Sequence, residues 1–298
     1  MATATVRRGG WSRDTVETRV FGVLRVVMIL FLLVITLFPF YYMVLLSLRP
    51  LDRVLQDPGA LWLPPSEVDL DSYASVVAPP SAGGQGFLDF MANSALVALG
   101  TVALTLLIAL PGAYAVSRLR FFGHRQVSVL FLAVYLFPPI LLAVPLFVFF
   151  TRIGLRGTLL GLLIVYVSQV VAVSIYMLRN YFDTVPVSLE EAAAIDGCSR
   201  LGVMRRVSLP LAMPAIIANS LFIFMIAWNE FLFALLFLIE ERDRWTVSLG
   251  LSQLAGSIEI PTTVLMAGSV VITIPIIVVF FASERLLTEG LTAGAEKG

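Results

Sequence analysis

Lysine, histidine and cysteine are almost absent from this chain. Its 298 residues hold one of each: Lys297, His124 and Cys198. Charge is scarce too, at 13% of residues, against about 25% in an ordinary soluble domain. Each shortage excludes something. One cysteine makes no internal disulfide, so the fold does not depend on an oxidising compartment. His124 and Cys198 lie far apart in the sequence and give no metal-ligand pattern. The only lysine follows Glu296, and no G-x-x-x-x-G-K-S/T loop occurs, so no Walker lysine is present. No Ser-His-Asp arrangement and no carboxylate pair inside the apolar runs suggests catalysis. The 20 basic residues balance 20 acids, so no net charge draws nucleic acid.

What the chain has instead is apolar length. Hydrophobic residues make up 59% of it, and the mean hydropathy is +0.94. Six runs lack Asp, Glu, Lys and Arg: Val26–Leu48, Phe90–Ser117, Gln126–Thr151, Gly157–Leu178, Val207–Asn229 and Ile260–Ser283. The fifth continues past Glu230 to Ile239. Each is long enough for a helix to cross a bilayer, which takes about 20 residues. One such run could be a buried core helix; six predict an all-α integral membrane protein with six transmembrane helices. The first run is too long and too far in for a cleaved signal, so it reads as a span.

Arginine sets the orientation. One set of loops and tails holds Arg7, Arg8, Arg13, Arg19, Arg25, Arg118, Arg120, Arg125, Arg179, Arg200, Arg205, Arg206, Arg285 and Lys297. The other holds Arg49, Arg53, Arg152, Arg156, Arg242 and Arg244. The richer set marks the cytoplasm, with both termini there. The expected order is a cytoplasmic tail at 1–25, a first transmembrane helix at 26–48 and an outer loop at 49–89. A five-helix core at 90–283 and a cytoplasmic tail at 284–298 complete it. Within the outer loop, Ser81–Gly86 reads as a flexible tip and Pro64-Pro65 and Pro79-Pro80 as breaks. A second outer loop is expected at 240–260. Pro138 and Pro139 are expected to kink the third span, and Gly157-x-x-x-Gly161 points to close helix packing.

The cytoplasmic stretch 183–210 is the most informative. Pro186 biases Val185 away from helix. Ser188 and Glu191 have capping-box spacing. Gly197 suits the position just past a helix end, and Ser199 can cap a second short helix. The reading is a helix–turn–helix with a small, apolar face that needs something to pack against.

These residues resemble a known family. Glu191-Ala192-Ala193, Gly197, Val207, Leu209 and Pro210 follow the spacing of the EAA loop of binding-protein-dependent ABC importer permeases; Val207 stands for the usual Ile. Asn93-Ser94, Ala113–Gly123 and Trp228–Leu235 fit as well. The ending Gly290–Gly298, GLTAGAEKG, resembles that of maltose-type sugar permeases. The resemblance implies a type I importer permease fold in a bacterial cytoplasmic membrane. It implies a homologous second permease, two ABC ATPase subunits and an extracytoplasmic sugar-binding protein as partners. ATP and magnesium would bind the ATPases, with no cofactor on this chain. Glu191, Ala192, Ala193, Asp196 and Gly197 would dock on an ATPase, and Ser252, Gln253, Gly256 and Ser257 would meet the binding protein. Glu191 has a second reading as a helix cap only.

Inside the spans, Trp228, Asn229 and Glu230 stand out. They either line a sugar path, or Glu230 reaches water or a neighbouring helix. Ser168 and Gln169 are polar too, and one interhelical hydrogen bond would explain them. The alternative to an importer subunit is an ion-coupled secondary transporter using Glu230. That carrier would work alone and fail on Glu230→Gln.

Overall fold

The computed structural model describes residues 13–295. Arg7, Arg8 and Lys297 of the expected tails lie outside the described residues. Fourteen helices run through them: α1 (Arg13–Ser47), α2 (Leu51–Gln56), α3 (Asp71–Val77), α4 (Phe87–Arg118), α5 (His124–Tyr135), α6 (Ala143–Arg152), α7 (Leu159–Phe182), α8 (Val187–Ile195), α9 (Arg200–Val203), α10 (Leu209–Leu211), α11 (Met213–Asn229), α12 (Leu232–Leu238), α13 (Val247–Gly256) and α14 (Thr262–Ala295). No strand occurs among the described residues.

The core forms where α4 and α7 lie side by side. Small residues on α4 permit it. A Cβ on Gly100 would stand 2.5 Å from Leu163, and one on Gly112 would stand 3.3 Å from Ile175. These two pairs advance together along both helices, so α4 and α7 run parallel. Ala109 and Ala113 are fully buried in the same seam. Between helices in lipid, close backbone approach of this kind replaces the hydrophobic drive. α11 packs on both, and α14 packs on α11. α1 stands at the edge: its apolar stretch is exposed along its length until Leu45, Leu46 and Ser47 turn inward.

Four helices are long and apolar enough to span: Glu17–Ser47, α4, α7 and Thr262–Glu284. A fifth candidate is α11 with the segment Arg200–Leu211 before it, the two bent by 76°. The remaining run, 126–151, is not one helix. It breaks after Tyr135, and Pro139 starts a separate 3₁₀ turn before α6. Two consecutive prolines remove two amide donors, so the helix cannot pass through them. Gly157-x-x-x-Gly161 does not form a helix face either. Gly157 precedes α7 with φ 75°, and Thr158 caps the helix by accepting from the Gly161 amide.

The segment 49–89, expected as an outer loop, is folded. α3 packs on α14, where Ser72 donates to Thr263 at 3.0 Å. Ser47 and Tyr73 share a hydrogen bond of 2.7 Å. The expected flexible tip is a tight turn: Gln85 and Gly86 donate backbone amides to Ser75 and Ala78 at 2.8 and 2.9 Å. Gly84 lies so close to Ala78 that a Cβ would meet its carbonyl oxygen at 2.1 Å. About half of the expected loop at 240–260 is likewise helix, as α13. Val247, Leu249 and Leu254 are buried, and Gly250 lets Phe90 approach. Asn93 and Ser94 pin this segment to α4. Asn93 donates to the carbonyls of Asp243 and Trp245 at 2.9 and 3.0 Å, and the Val247 amide donates to Ser94 at 2.9 Å.

Candidate functional site

The expected docking loop forms as two short helices, α8 and α9, at the end of α4 and α7. Local chemistry sets its corners. Pro186 fixes the residue before α8. Gly197 turns the chain at φ 89° with nothing within 4 Å of where a Cβ would sit. Ser199 caps α9 by accepting from the Gly202 amide at 3.3 Å. The capping box at Ser188 does not form. Pro186 takes the N-cap position, Ser188 falls inside the helix, and no side chain caps the start.

The adjacent glutamates point in different directions. Glu191 is exposed, as are Ala192, Asp196 and Gly197, while Ala193 is half-buried. Glu190 is buried. One turn of helix places neighbours about 100° apart, so only one of the pair can face inward. Glu190 Oε1 receives Arg118 Nε and Ser208 Oγ, both at 2.9 Å. Tyr114 donates to Oε2 at 3.3 Å. Arg118 also donates to the Val185 carbonyl at 2.8 Å and to Ser117 at 3.1 Å, and Ser117 donates to Asp183. The ion pair is enclosed, with the two side chains 10% and 9% exposed. Enclosed charges are stable only when nearly all their donors and acceptors are used, and here most are. Ser208 belongs to a single turn of π-helix, Met204–Ser208, a local distortion found often at functional places.

The apolar side of the loop is uncovered. Leu189 and Leu201 are exposed, and Ile195 is 86% exposed. Sequence reasoning found the loop but missed Glu190. The available signals were the doubled glutamate and the arginine closing α4.

The second cluster lies where α11 ends and α12 begins. Trp228 is buried, its indole donating to the Ile272 carbonyl at 3.2 Å. Asn229 is exposed and bonds back to the Met225 carbonyl. Glu230 has both oxygens engaged. Tyr166 donates to Oε2 at 2.6 Å. The Phe233 and Ala234 amides donate at 2.9 and 3.2 Å. These are first-turn amides that a helix leaves without internal partners. Ser248 donates to the Glu230 carbonyl. The three expected path residues thus face three different surroundings.

A cavity of about 320 Å³ opens beside them. Phe137, Pro139, Leu142, Phe222 and Phe233 line it together with Ser168 and Gln169. Ser168 bonds to its own helix at Val165, and Gln169 Nε2 is buried with no partner in the structure. The expected interhelical hydrogen bond is absent at both. Beside α13, Gln253 and Ser257 line a second cavity of about 280 Å³ with Gln85, Arg242 and Trp245. Ser252 is half-buried, Gly256 is exposed, and Ile258 beyond them is fully exposed. Among the described residues no group of His, Cys, Asp or Glu could hold a metal ion.

Comparison with known proteins places this arrangement. The family described as binding-protein-dependent transport system inner membrane component matches residues 105–292. The chain is 36% identical over 266 residues to the inner membrane ABC transporter permease protein YcjP of Escherichia coli (strain K12), covering 89% of this chain and 93% of that one. It is 36% identical to the trehalose/maltose transport system permease protein MalG of Thermococcus litoralis, covering 89% and 93%. Among solved structures, a chain of a bacterial ABC transporter involved in the import of the acidic polysaccharide alginate superposes with a TM-score of 0.77. Its identity is 25%, and the match covers 93% of this chain and 98% of that one.

Proposed function

From its membership of the binding-protein-dependent transport system inner membrane components, a family of multi-pass cytoplasmic-membrane permeases, we propose that this chain forms half the translocation path of an ATP-driven carbohydrate importer. The loop α8–α9 docks on one of two ATPase subunits at the cytoplasmic face. A homologous permease supplies the other half, and an external binding protein delivers the sugar.

One observation carries the reading. The loop buries one of its acids, Glu190, and leaves Leu189, Ile195 and Leu201 in the open. A solitary loop would do the reverse, because exposed apolar area costs about 25 cal/mol per Å². Such a surface fits a partner chain, and Glu191, Ala192, Ala193, Asp196 and Gly197 lie on it.

The carbohydrate class rests on relatives. One is named for trehalose and maltose, and the structural neighbour imports alginate. α-Glucosides such as maltose or trehalose are the first to test. Ser168 and Gln169 support a path through the 320 Å³ cavity better than Asn229 or Glu230 does, since they are its polar lining. Ser252, Gln253, Gly256 and Ser257 remain the proposed contact with the binding protein. The ion-coupled carrier has less support, because the Glu230 carboxylate already accepts from Tyr166 and from the Phe233 and Ala234 amides.

The test is a gentle detergent pull-down of tagged chain from its native membranes, followed by mass spectrometry. A second permease and an ATPase with a Walker A motif are expected. A clean homo-oligomer with no ATPase would overturn the reading.

A further inference from the structure

We propose that the Glu190–Arg118–Ser208 cluster is the link that carries movement of the docking loop into the membrane helices. Glu190 acts as a positioning residue for transport. The inference rests on the importer reading and goes beyond it, because it names how the docked loop pulls on this chain.

α8 packs directly on α9 and the π-helical turn. Side chains tie it to the bundle as well. Glu190 reaches Arg118 and Tyr114 on the last two turns of α4, and Ser208 on the turn leading into α10 and α11. Arg118 meanwhile grips the Val185 carbonyl just before α8. One carboxylate therefore joins three pieces: the end of α4, the docking helix and the entrance to α11. Of the residues expected to touch the ATPase, Glu191 and Ala192 on α8 and Asp196 and Gly197 just past its end are exposed, and Ala193 is half-buried. A push on these residues reaches α4 through Glu190.

The chemistry suits a link that must hold while it moves. The pair is screened from water, so its attraction is less weakened than on a surface. Three donors converge on two oxygens, so a tilt of α8 that lengthens one bond is met by the others. The neighbouring π-helical turn lacks regular i→i+4 bonding and can absorb a change of register.

The experiment uses the full chain with the subunits that co-purify with it from native membranes. Hydrogen–deuterium exchange is compared without nucleotide and with ATP, magnesium and vanadate. In the natural complex, exchange is expected to change both in the loop at 187–203 and in α4 at 106–118. In Glu190→Gln the loop should still respond, while the response at 106–118 falls about five-fold. Arg118→Gln combined with Glu190→Gln should lose no more than Glu190→Gln alone, because the two groups form one link. A role in stability alone would raise exchange in both segments before nucleotide is added and leave the α4 response intact.

If Glu190→Gln does not assemble, Ser208→Ala keeps the ion pair and removes one donor. It should lose about half of the α4 response. A response at 106–118 equal to that of the natural complex, in either assembled variant, overturns the link. A natural chain that brings down no ATPase overturns the importer reading and the link together.

Discussion

Glu190 is buried and Glu230 half-buried, at opposite ends of the helical bundle, and they are satisfied by different means. Glu230 binds only neutral donors: a tyrosine hydroxyl on α7 and two backbone amides that open α12. Every partner belongs to a packed helix. Glu190 binds a guanidinium, a serine and a tyrosine from two other elements, and its own helix is otherwise open on one side. The first arrangement is a joint that fixes a broken span. The second is a tie between a surface piece and the core. A carboxylate held by amides of a rigid helix has one good position. One held by a long arginine can follow its partner. The same side chain serves shape in one place and transmission in the other.

The largest effect should come from breaking the joint. Glu230→Ala orphans the Tyr166 hydroxyl and two amides, at about 1–3 kcal/mol for each bond to a charged group. A net loss of about 3 kcal/mol is expected, lowering the midpoint of thermal unfolding in detergent by roughly 10 °C. Uptake would then fall with the amount of folded protein. A Glu230→Gln chain with unchanged melting and no uptake would contradict the joint and return Glu230 to the carrier reading.

Next is the loop surface. Gly197 meets no neighbour, so Gly197→Asp pays only for its positive φ, about 1–2 kcal/mol. Membrane insertion should be unaffected. Sugar-stimulated ATP turnover in the reconstituted complex should drop about ten-fold, equivalent to about 1.4 kcal/mol of docking. Ala193→Glu should act similarly. Unchanged turnover in both would remove the loop from coupling.

A matched pair of hydroxyls sharpens the contrast further. Ser248 donates to the Glu230 carbonyl, and Ser208 to the Glu190 carboxylate. Each loss should cost about 1 kcal/mol. Ser248→Ala should show that cost in melting alone. Ser208→Ala should also reduce transport per ATP hydrolysed. Equal behaviour of the two would mean that the two ends differ only in position.

How much of this the sequence could announce follows from how local each cause is. Gly197 and Ser199 were legible because a turn and a cap depend on a few neighbouring residues. The capping box failed for a local reason as well: with Pro186 at the N-cap, the helix starts two residues too early for Ser188 to cap it. The long apolar runs told that the chain spans a membrane. They could not tell that 126–151 is divided, because hydropathy ignores missing amides. α2, α3 and α13 were invisible as helices because they are short, and α3 and α13 owe their place to packing on α4 and α14. Glu190 was out of reach because its partners, Tyr114, Arg118 and Ser208, stand up to 76 residues away. Doubling of the glutamate shows only that one must face inward.

The smallest effect concerns the cavity between the two ends. Gln169 carries a buried donor without a partner, which ordinarily costs about 1–3 kcal/mol. A purely structural position would gain from losing it. Gln169→Leu fills a similar volume and should leave melting unchanged or slightly higher. Uptake of radiolabelled maltose or trehalose, whichever the complex takes, should fall a few-fold, about 1 kcal/mol, as one hydrogen bond to a passing hydroxyl is lost. Ser168 already bonds to its own helix, so Ser168→Ala should do less. Uptake that rises with stability in Gln169→Leu would place the path elsewhere. The 320 Å³ space would then be a gap that the second permease fills, and neither glutamate would border the route of the sugar.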